Sequence, residues 1–382
     1  MNEFEFIARL RDQASARKHS TRIVKGIGDD ASVIREAANR DLIVTTDLLV
    51  EGVDFHRQPT PPPLLGHKAL AVSLSDIAAM GARPYWSFLS FGMPRNAWNG
   101  SFKDEFVSGY FALADRFGVT LAGGDISETQ EGIVVDSIVL GEVESGAAVL
   151  RSGARAGDQI FVTGNLGGAA AGLKLIELGA RLAMKSEPGA VATGPVTEPG
   201  AVATGPVTEP GAVATGPVAE DDPSKRTDDD AIQALLLRQL QPEPRVGWGI
   251  VLGEERLATA MIDLSDGLSS DLHHLCRESN LGAIIDAASL PLDENVKQLC
   301  GRRALDPLAL ALHGGEDFEL LFTVAPENVP RLPKRVDGVA IYLIGEITEP
   351  RDVQLKEKNR LWKLEPRGFE HFADVNSHSA MQ

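Results

Sequence analysis

A chain of 382 residues, 43% hydrophobic and 24% charged, is long enough for two globular domains and able to bury a large core. With 37 basic against 54 acidic residues its formal net charge is −17, which disfavours nucleic acid and anionic membrane surfaces as partners, both being negative. Cys276 and Cys300 form no CxxC pair, so neither a disulfide framework nor a zinc pattern is expected, and no apolar run reaches membrane-spanning length.

The opening MNEFEFIARLRD is charged and amphipathic, without the apolar centre of a secretion signal, which predicts a cytoplasmic protein. Residues 41–55 (DLIVTTDLLVEGVDF) and 132–143 (GIVVDSIVLGEV) carry the β-branched, partly alternating pattern of strands. Between them, 64–80 reads as a helix with small residues on one face, suited to close packing. A domain boundary is expected at 151–156, giving an N-terminal domain of 1–151 and a C-terminal domain of 152–382. Residues 159–176 read as strand, glycine turn and helix. The amides of 164–168 could hold a phosphate there, although strand-on-helix packing explains the glycines equally well. Residues 187–219 are three copies of an eleven-residue unit, EPGAVATGPV followed by T, T or A, each with two prolines and two glycines and no aromatic. With the acidic run behind them, 187–230 read as a disordered insertion of net charge −7. Beyond it, 264–280 read as a helix with Gly282 as C-cap, and 318–324 and 339–344 as strands. The class is α+β.

Outside the insertion the aspartates cluster in apolar or glycine-rich settings: GIGDD (Asp29, Asp30), TTD (Asp47), SLSD (Asp76), AGGD (Asp125) and DLSDG (Asp263, Asp266). A buried carboxylate is costly without a partner, and these segments supply few lysines or arginines. Hard divalent cations solve that problem, since magnesium prefers oxygen ligands and is held by carboxylates together with substrate phosphates. Any one such segment is more often a turn or helix cap. Five together point to a polynuclear magnesium site and to phosphoryl transfer. No GxxxxGK[ST] loop and no protein-kinase motif set is present.

In order, GIGDD, TTDLLVEGVDF, GHKALAVSLSDIAAMGARP, AGGDIS, LRSGARAGD, VTGNLGGAAAGL, MIDLSDGLSSDL, HGGEDFELLF and GFEHF resemble the thiamine-monophosphate kinases. These belong with the aminoimidazole ribonucleotide and selenophosphate synthetases. The likeness covers nearly the whole chain except 187–230. It implies ATP-dependent phosphorylation of thiamine monophosphate to thiamine diphosphate with several magnesium ions. It also implies a homodimer whose N-terminal mixed sheets form a barrel-like core with flanking helices, and a C-terminal α/β sandwich-like domain. By motif match the metal ligands would be Asp30, Thr45 or Thr46, Asp47, Asp76, Asp125, Asp263 and Asp266. Gly124, Asp125, Arg151 and Ser265 would meet ATP, and Asp54, Glu316 and Phe369 the thiamine phosphate. Many members have histidine at the position of Asp54, and His56 is the alternative if the strand continues, because 54 and 56 would then share a face. Phe372 or Trp362 are the alternatives to Phe369, whose ring face suits a cationic thiazolium.

The acceptor is a phosphate oxygen, already negative near neutral pH, so neither a general base nor a covalent nucleophile is expected. Direct in-line transfer by positioning and charge neutralisation is the implied mechanism, with Arg151 adding a fixed positive charge. Lys68 could do likewise but reads rather as a solvated helix lysine, and Asp29 and Asp271 read as capping groups or supports behind the metal ligands rather than ligands themselves. Competing readings are another ATP-using enzyme of the same superfamily and a non-catalytic acidic metal-binding protein. The first cysteine, Cys276, falls on an expected helix, far from where selenophosphate synthetases carry their reactive residue.

Overall fold

The computed structural model describes residues 22–183 and 227–369 except 38, 304 and 359, together with 5, 7–8 and 11–12. The eleven-residue repeats lie outside the described residues.

In the N-terminal half, β1 (Ile23–Lys25), β2 (Ser32–Ala37), β3 (Arg40–Val50), β4 (Arg83–Pro94), β5 (Thr120–Thr129) and β6 (Val134–Glu144) form one mixed sheet. Its order is β1-β2-β3-β6-β4-β5, with β4 and β5 parallel and the other pairs antiparallel. The period of two in β6 turns Val135, Ser137, Val139 and Val143 to the buried face. Helices α1 (Pro62–Ala79) and α2 (Phe102–Phe117) cover that face. The small residues of α1 let its neighbours approach closely. A Cβ on Gly66 would fall 1.9 Å from the Phe106 carbonyl oxygen, and one on Gly109 1.8 Å from that of Pro63. Leu70, Leu74 and Ile77 are fully buried on α1, and truncating any of them to alanine costs about 2–5 kcal/mol.

The C-terminal half begins with β7 (Gln159–Thr163) and α3 (Gly168–Glu177) and resumes with α4 (Asp228–Leu240) and α5 (Val246–Glu254). After β8 (Ala260–Asp263), α6 (Leu268–Ser279) and β9 (Gly282–Asp286) come α7 (Glu294–Arg303), α8 (Pro307–His313) and β10 (Leu320–Val324). The chain closes on β11 (Arg335–Val336), β12 (Val339–Thr348), β13 (Val353–Glu357) and β14 (Arg360–Lys363). The second sheet runs β14-β13-β9-β12-β7-β10-β8, with β11 beside β12 and only β9–β13 parallel. Phe161, Trp248 and Phe322 stack together at centroid distances of 5.6 and 6.4 Å and belong to the same core as α1, so the halves share one apolar seam.

Among the described residues both sheets are open, and a single copy forms no closed barrel. Other expectations of the sequence need correction. The strand expected through residue 55 stops at Val50, because Gly52 turns the chain at φ 90° and Asp54 accepts the Val50 amide at 2.7 Å. Residues 54 and 56 therefore share no strand face. The expected helix at 264–280 starts only at Leu268, and its C-cap is Asn280 at φ 59°, while Gly282 opens β9. Residues 228–230, expected within the insertion, instead form the first turn of α4. Thr227 and Asp230 cap it reciprocally, and the three aspartates suit the positive end of the helix dipole.

This boundary gives a testable consequence. Deleting 187–226 is expected to leave urea stability unchanged, whereas deleting 187–230 should cost about 1 kcal/mol by removing the cap. Equal denaturation midpoints for the two deletions would overturn the assignment.

Candidate active site

Three carboxylates from distant parts of the sequence meet where the halves join. Asp30 follows β1, Asp76 lies near the end of α1, and Asp263 ends β8. One oxygen from each lies within 4.8 Å of the others, the one group of this kind among the described residues. Asp47 on β3 joins from the inner face of the sheet. Its electrostatic partners include Asp76 and Asp30. Oδ2 of Asp30 and Oδ2 of Asp47 are buried and accept no hydrogen bond. Such oxygens are rare in a folded protein without a ligand that satisfies them.

The surroundings hold these groups in place. Thr45 donates to Asp76, and Ser75 donates to Asp263 at 2.7 Å. Arg151 forks onto Asp30 at 2.6 and 3.2 Å, while its backbone amide faces Asp29, which also pairs with Lys25 at 3.0 Å. Burial, with Asp136 nearby, raises Asp47 to about 6 against the help of Ser73. Burial and Asp30 raise Asp263 to about 8. For Asp76, burial and then Asp47 push the carboxyl well above its ordinary range. Arg151 is half-buried, but Asp30, Asp29 and Asp263 more than offset that and strengthen its hold on its proton. Carboxylates that resist ionisation in this way are poised for a cation of oxygen preference, and no histidine or cysteine belongs to the group.

The other expected residues are placed as follows. Thr46 points to the exposed outer face of β3, opposite Thr45. Gly124 and Asp125 lie exposed on β5, outside the three-carboxylate group. Gly124 has φ 155°, and a Cβ there would fall 1.9 Å from the Leu89 carbonyl oxygen. Asp266 and Ser265 sit half-buried in the loop after β8. Asp271 accepts the Asp266 and Gly267 amides at 3.2 and 3.0 Å and so fixes that loop. The loop is tied in turn to residues 314–318. The Glu316 amide donates to the Ser265 carbonyl at 2.8 Å and the Phe318 amide to that of Leu264 at 2.9 Å. Phe369 is 45% exposed, and its amide meets the Asp266 carbonyl at 3.2 Å. Asp263, Ser265, Asp266, Glu316 and Phe369 therefore share one corner. Asp54 closes its own turn, whereas His56 lines a cavity of about 450 Å³ with Arg57, Leu173, Ile176 and Arg181. Trp362 is exposed on β14, and Phe372 lies outside the described residues.

Two readings of the sequence fail for electrostatic reasons. The glycine turn before α3 is no free anion cradle, because Asp317 already takes the Gly167 and Ala169 amides at 2.6 and 3.0 Å. Asp317 is raised to about 6 by burial, although Arg238 and those amides oppose the shift. Lys68 is not solvated. It is 2% exposed and pairs with Glu316 at 2.6 Å. Sequence reasoning also missed Gln239, which donates to the other Glu316 oxygen. The spacing of Lys68 and Asp76, two helical turns apart, held the signal for the lysine: it puts both on one face of α1.

Comparison with known proteins adds to this geometry. A family model described as AIR synthase related protein, N-terminal domain, matches residues 28–143, and the corresponding C-terminal domain model matches 213–358. The thiamine-monophosphate kinase of Buchnera aphidicola subsp. Schizaphis graminum is 32% identical, covering 97% of this chain and 99% of its own. That of Escherichia coli K12 is 33% identical, covering 97% and 98%. Among solved structures, AaThiL complexed with AMPPCP and TMP superposes with a TM-score of 0.74 at 29% identity, covering 97% of each chain. Thiamine-monophosphate kinase from Stenotrophomonas maltophilia K279a gives 0.66 at 34% identity, covering 93% and 96%.

Proposed function

The chain belongs to the thiamine-monophosphate kinases among the AIR synthase related proteins, and from that premise we propose that it transfers the γ-phosphoryl group of ATP to thiamine monophosphate. The products are ADP and thiamine diphosphate. The observation that carries this reading is the buried group of Asp30, Asp76 and Asp263 with Asp47 beside it, two of whose oxygens accept no hydrogen bond.

Magnesium fits this donor set, which is all oxygen. Asp30, Asp47, Asp76 and Asp263 would hold it, joined by Thr45, Asp125 and Asp266. Bound magnesium supplies neutralisation of phosphate charge and alignment of the phosphate oxygens. The remaining work falls to the chain. Arg151, anchored on Asp30, presents a fixed cation to the nucleotide, and Ser265 and Gly124 offer polar and backbone contacts to it. Glu316 and Phe369, beside the loop of Asp263 and Asp266, meet the thiamine end of the acceptor, together with Asp54 or His56. No base is needed, because the attacking phosphate oxygen is already anionic. Holding the two substrates in line supplies the rate.

Purified protein supplied with ATP, magnesium and thiamine monophosphate should form ADP and thiamine diphosphate in equal amounts. Other phosphorylated acceptors, run in parallel, should give none. Absence of acceptor-dependent ADP formation would refute the reading.

We further propose a homodimer formed through the N-terminal sheets. β5 is the last strand of its sheet and is exposed along most of its length, with Ile126 at 64% exposure. An uncovered edge of this kind invites pairing with a second copy, and β5 also carries Asp125. Ile126→Lys is expected to shift the sedimenting species from dimer to monomer. An unchanged mass would argue for a different interface. No helix among the described residues is long and apolar enough to cross a membrane, and a cytoplasmic location fits the acidic composition.

A further inference from the structure

We propose that Lys68 and Gln239 are positioning residues that clamp the Glu316 carboxylate from behind and present it to the acceptor substrate. The inference deepens the thiamine monophosphate reading and rests on it. Glu316 Oε1 meets the Lys68 ammonium at 2.6 Å, and Oε2 accepts from the Gln239 amide nitrogen. Each carboxylate oxygen therefore has its own dedicated donor, one from α1 and one from α4. Of the three side chains only Glu316 reaches solvent, at 29% exposure. Lys68 and Gln239 are 2% and 5% exposed, so a ligand arriving from solvent meets the carboxylate and not its holders.

The backbone is fixed as firmly. Glu316 sits at φ 65°, in the left-handed region that residues with a Cβ seldom occupy. Its amide bonds to the Ser265 carbonyl, beside Asp266. Strain of this kind persists where the surroundings over-determine a functional loop. Stability alone gives no reason for an ammonium at 68, since a buried ion pair is often replaceable by apolar groups at no loss. A methionine would continue the apolar face of α1 as well. What the lysine adds is a carboxylate held in one orientation. The rise of α1 places position 68 about 12 Å from position 76, so one rigid helix sets the spacing between the carboxylate group around Asp76 and the acceptor carboxylate.

The test is steady-state kinetics on the full chain, with thiamine monophosphate and ATP varied separately in saturating magnesium. Lys68→Met is expected to raise the acceptor KM about 10- to 100-fold, as loss of a charge-assisted bond does. The kcat and the KM for ATP should change less than the acceptor KM. Gln239→Met should raise the acceptor KM by a smaller factor, and Lys68→Arg should restore part of the loss. The Lys68→Met/Glu316→Gln double variant leaves no unpaired buried charge and should fold. Its acceptor KM should match that of Glu316→Gln alone, showing that lysine and glutamate act as one unit. If Lys68→Met raised the KM for ATP and spared that of the acceptor, or if its effect multiplied with Glu316→Gln, the clamp would be refuted. A Glu316→Gln variant with unchanged acceptor KM would instead refute the placement of the acceptor at Glu316.

Discussion

Asp47→Asn is expected to reduce phosphoryl transfer by about a thousandfold while leaving the metal-free protein at least as stable as the parent. The loss follows from replacing a charged oxygen donor by a neutral amide in a group that also contains Asp30, Asp76 and Asp263. The retained stability follows from the cost of the carboxylate itself. Folding raises Asp47 from 3.8 to about 6 and Asp263 from 3.8 to about 8, both chiefly through burial. A carboxyl with a raised folded pKa contributes stability that is complete below about pH 4 and lost as pH rises through the folded value. With a chelator present, the parent should therefore lose stability between pH 4 and 8. Asp47→Asn should lose less, because one of these titrations is gone. Magnesium should reverse the trend, raising the melting temperature more at pH 8 than at pH 5. Melts in chelator and in magnesium at both pH values check all three statements. Near-parental turnover by Asp47→Asn in limiting magnesium would remove Asp47 from the metal site.

Arg151→Met should destabilise the metal-free protein by about 3–5 kcal/mol, the usual consequence of stripping one partner from a buried ion pair. Arg151 holds Asp30 through two nitrogen–oxygen contacts, and its backbone is fixed by Asp29 on one side and Ser279 on the other. Its removal leaves Asp30, Asp76 and Asp263 facing one another. Saturating magnesium should restore most of the stability, because divalent charge replaces the lost cation. Activity should stay at least tenfold down, because the contact to the nucleotide does not return. Arg151→Lys keeps the charge but not the fork and should fall between the two. Urea titrations in chelator and in magnesium separate these outcomes. Equal stability of parent and Arg151→Met in chelator would show that the ion pair does not balance the acidic group.

Part of this was open to inspection in the residues. Aspartates following apolar or glycine-rich stretches signal carboxylates that water does not solvate, and Asp30, Asp76 and Asp263 do converge. The small residues of α1 announced the tight contacts at Gly66 and Gly109. The three-repeat unit could be recognised by composition alone. Lys68 was misread because a lysine on a helix is ordinarily solvated; the face it shares with Asp76 hinted at burial, but its partner Glu316 arrives only 248 positions later. The glycine turn before α3 had the look of a phosphate loop until Asp317, brought there by β10, took its amides. Asp54 lost its expected strand position because its own carboxylate closes the turn after Val50.

Residue type and spacing thus determined by themselves that oxygen donors gather in a two-domain α+β protein and that phosphate chemistry suits them. Only the tertiary structure decided which donors face one another and which are spent on capping a helix or clamping a neighbour. The physical reason is that the energy of a charge depends on the burial and the partners supplied by distant segments.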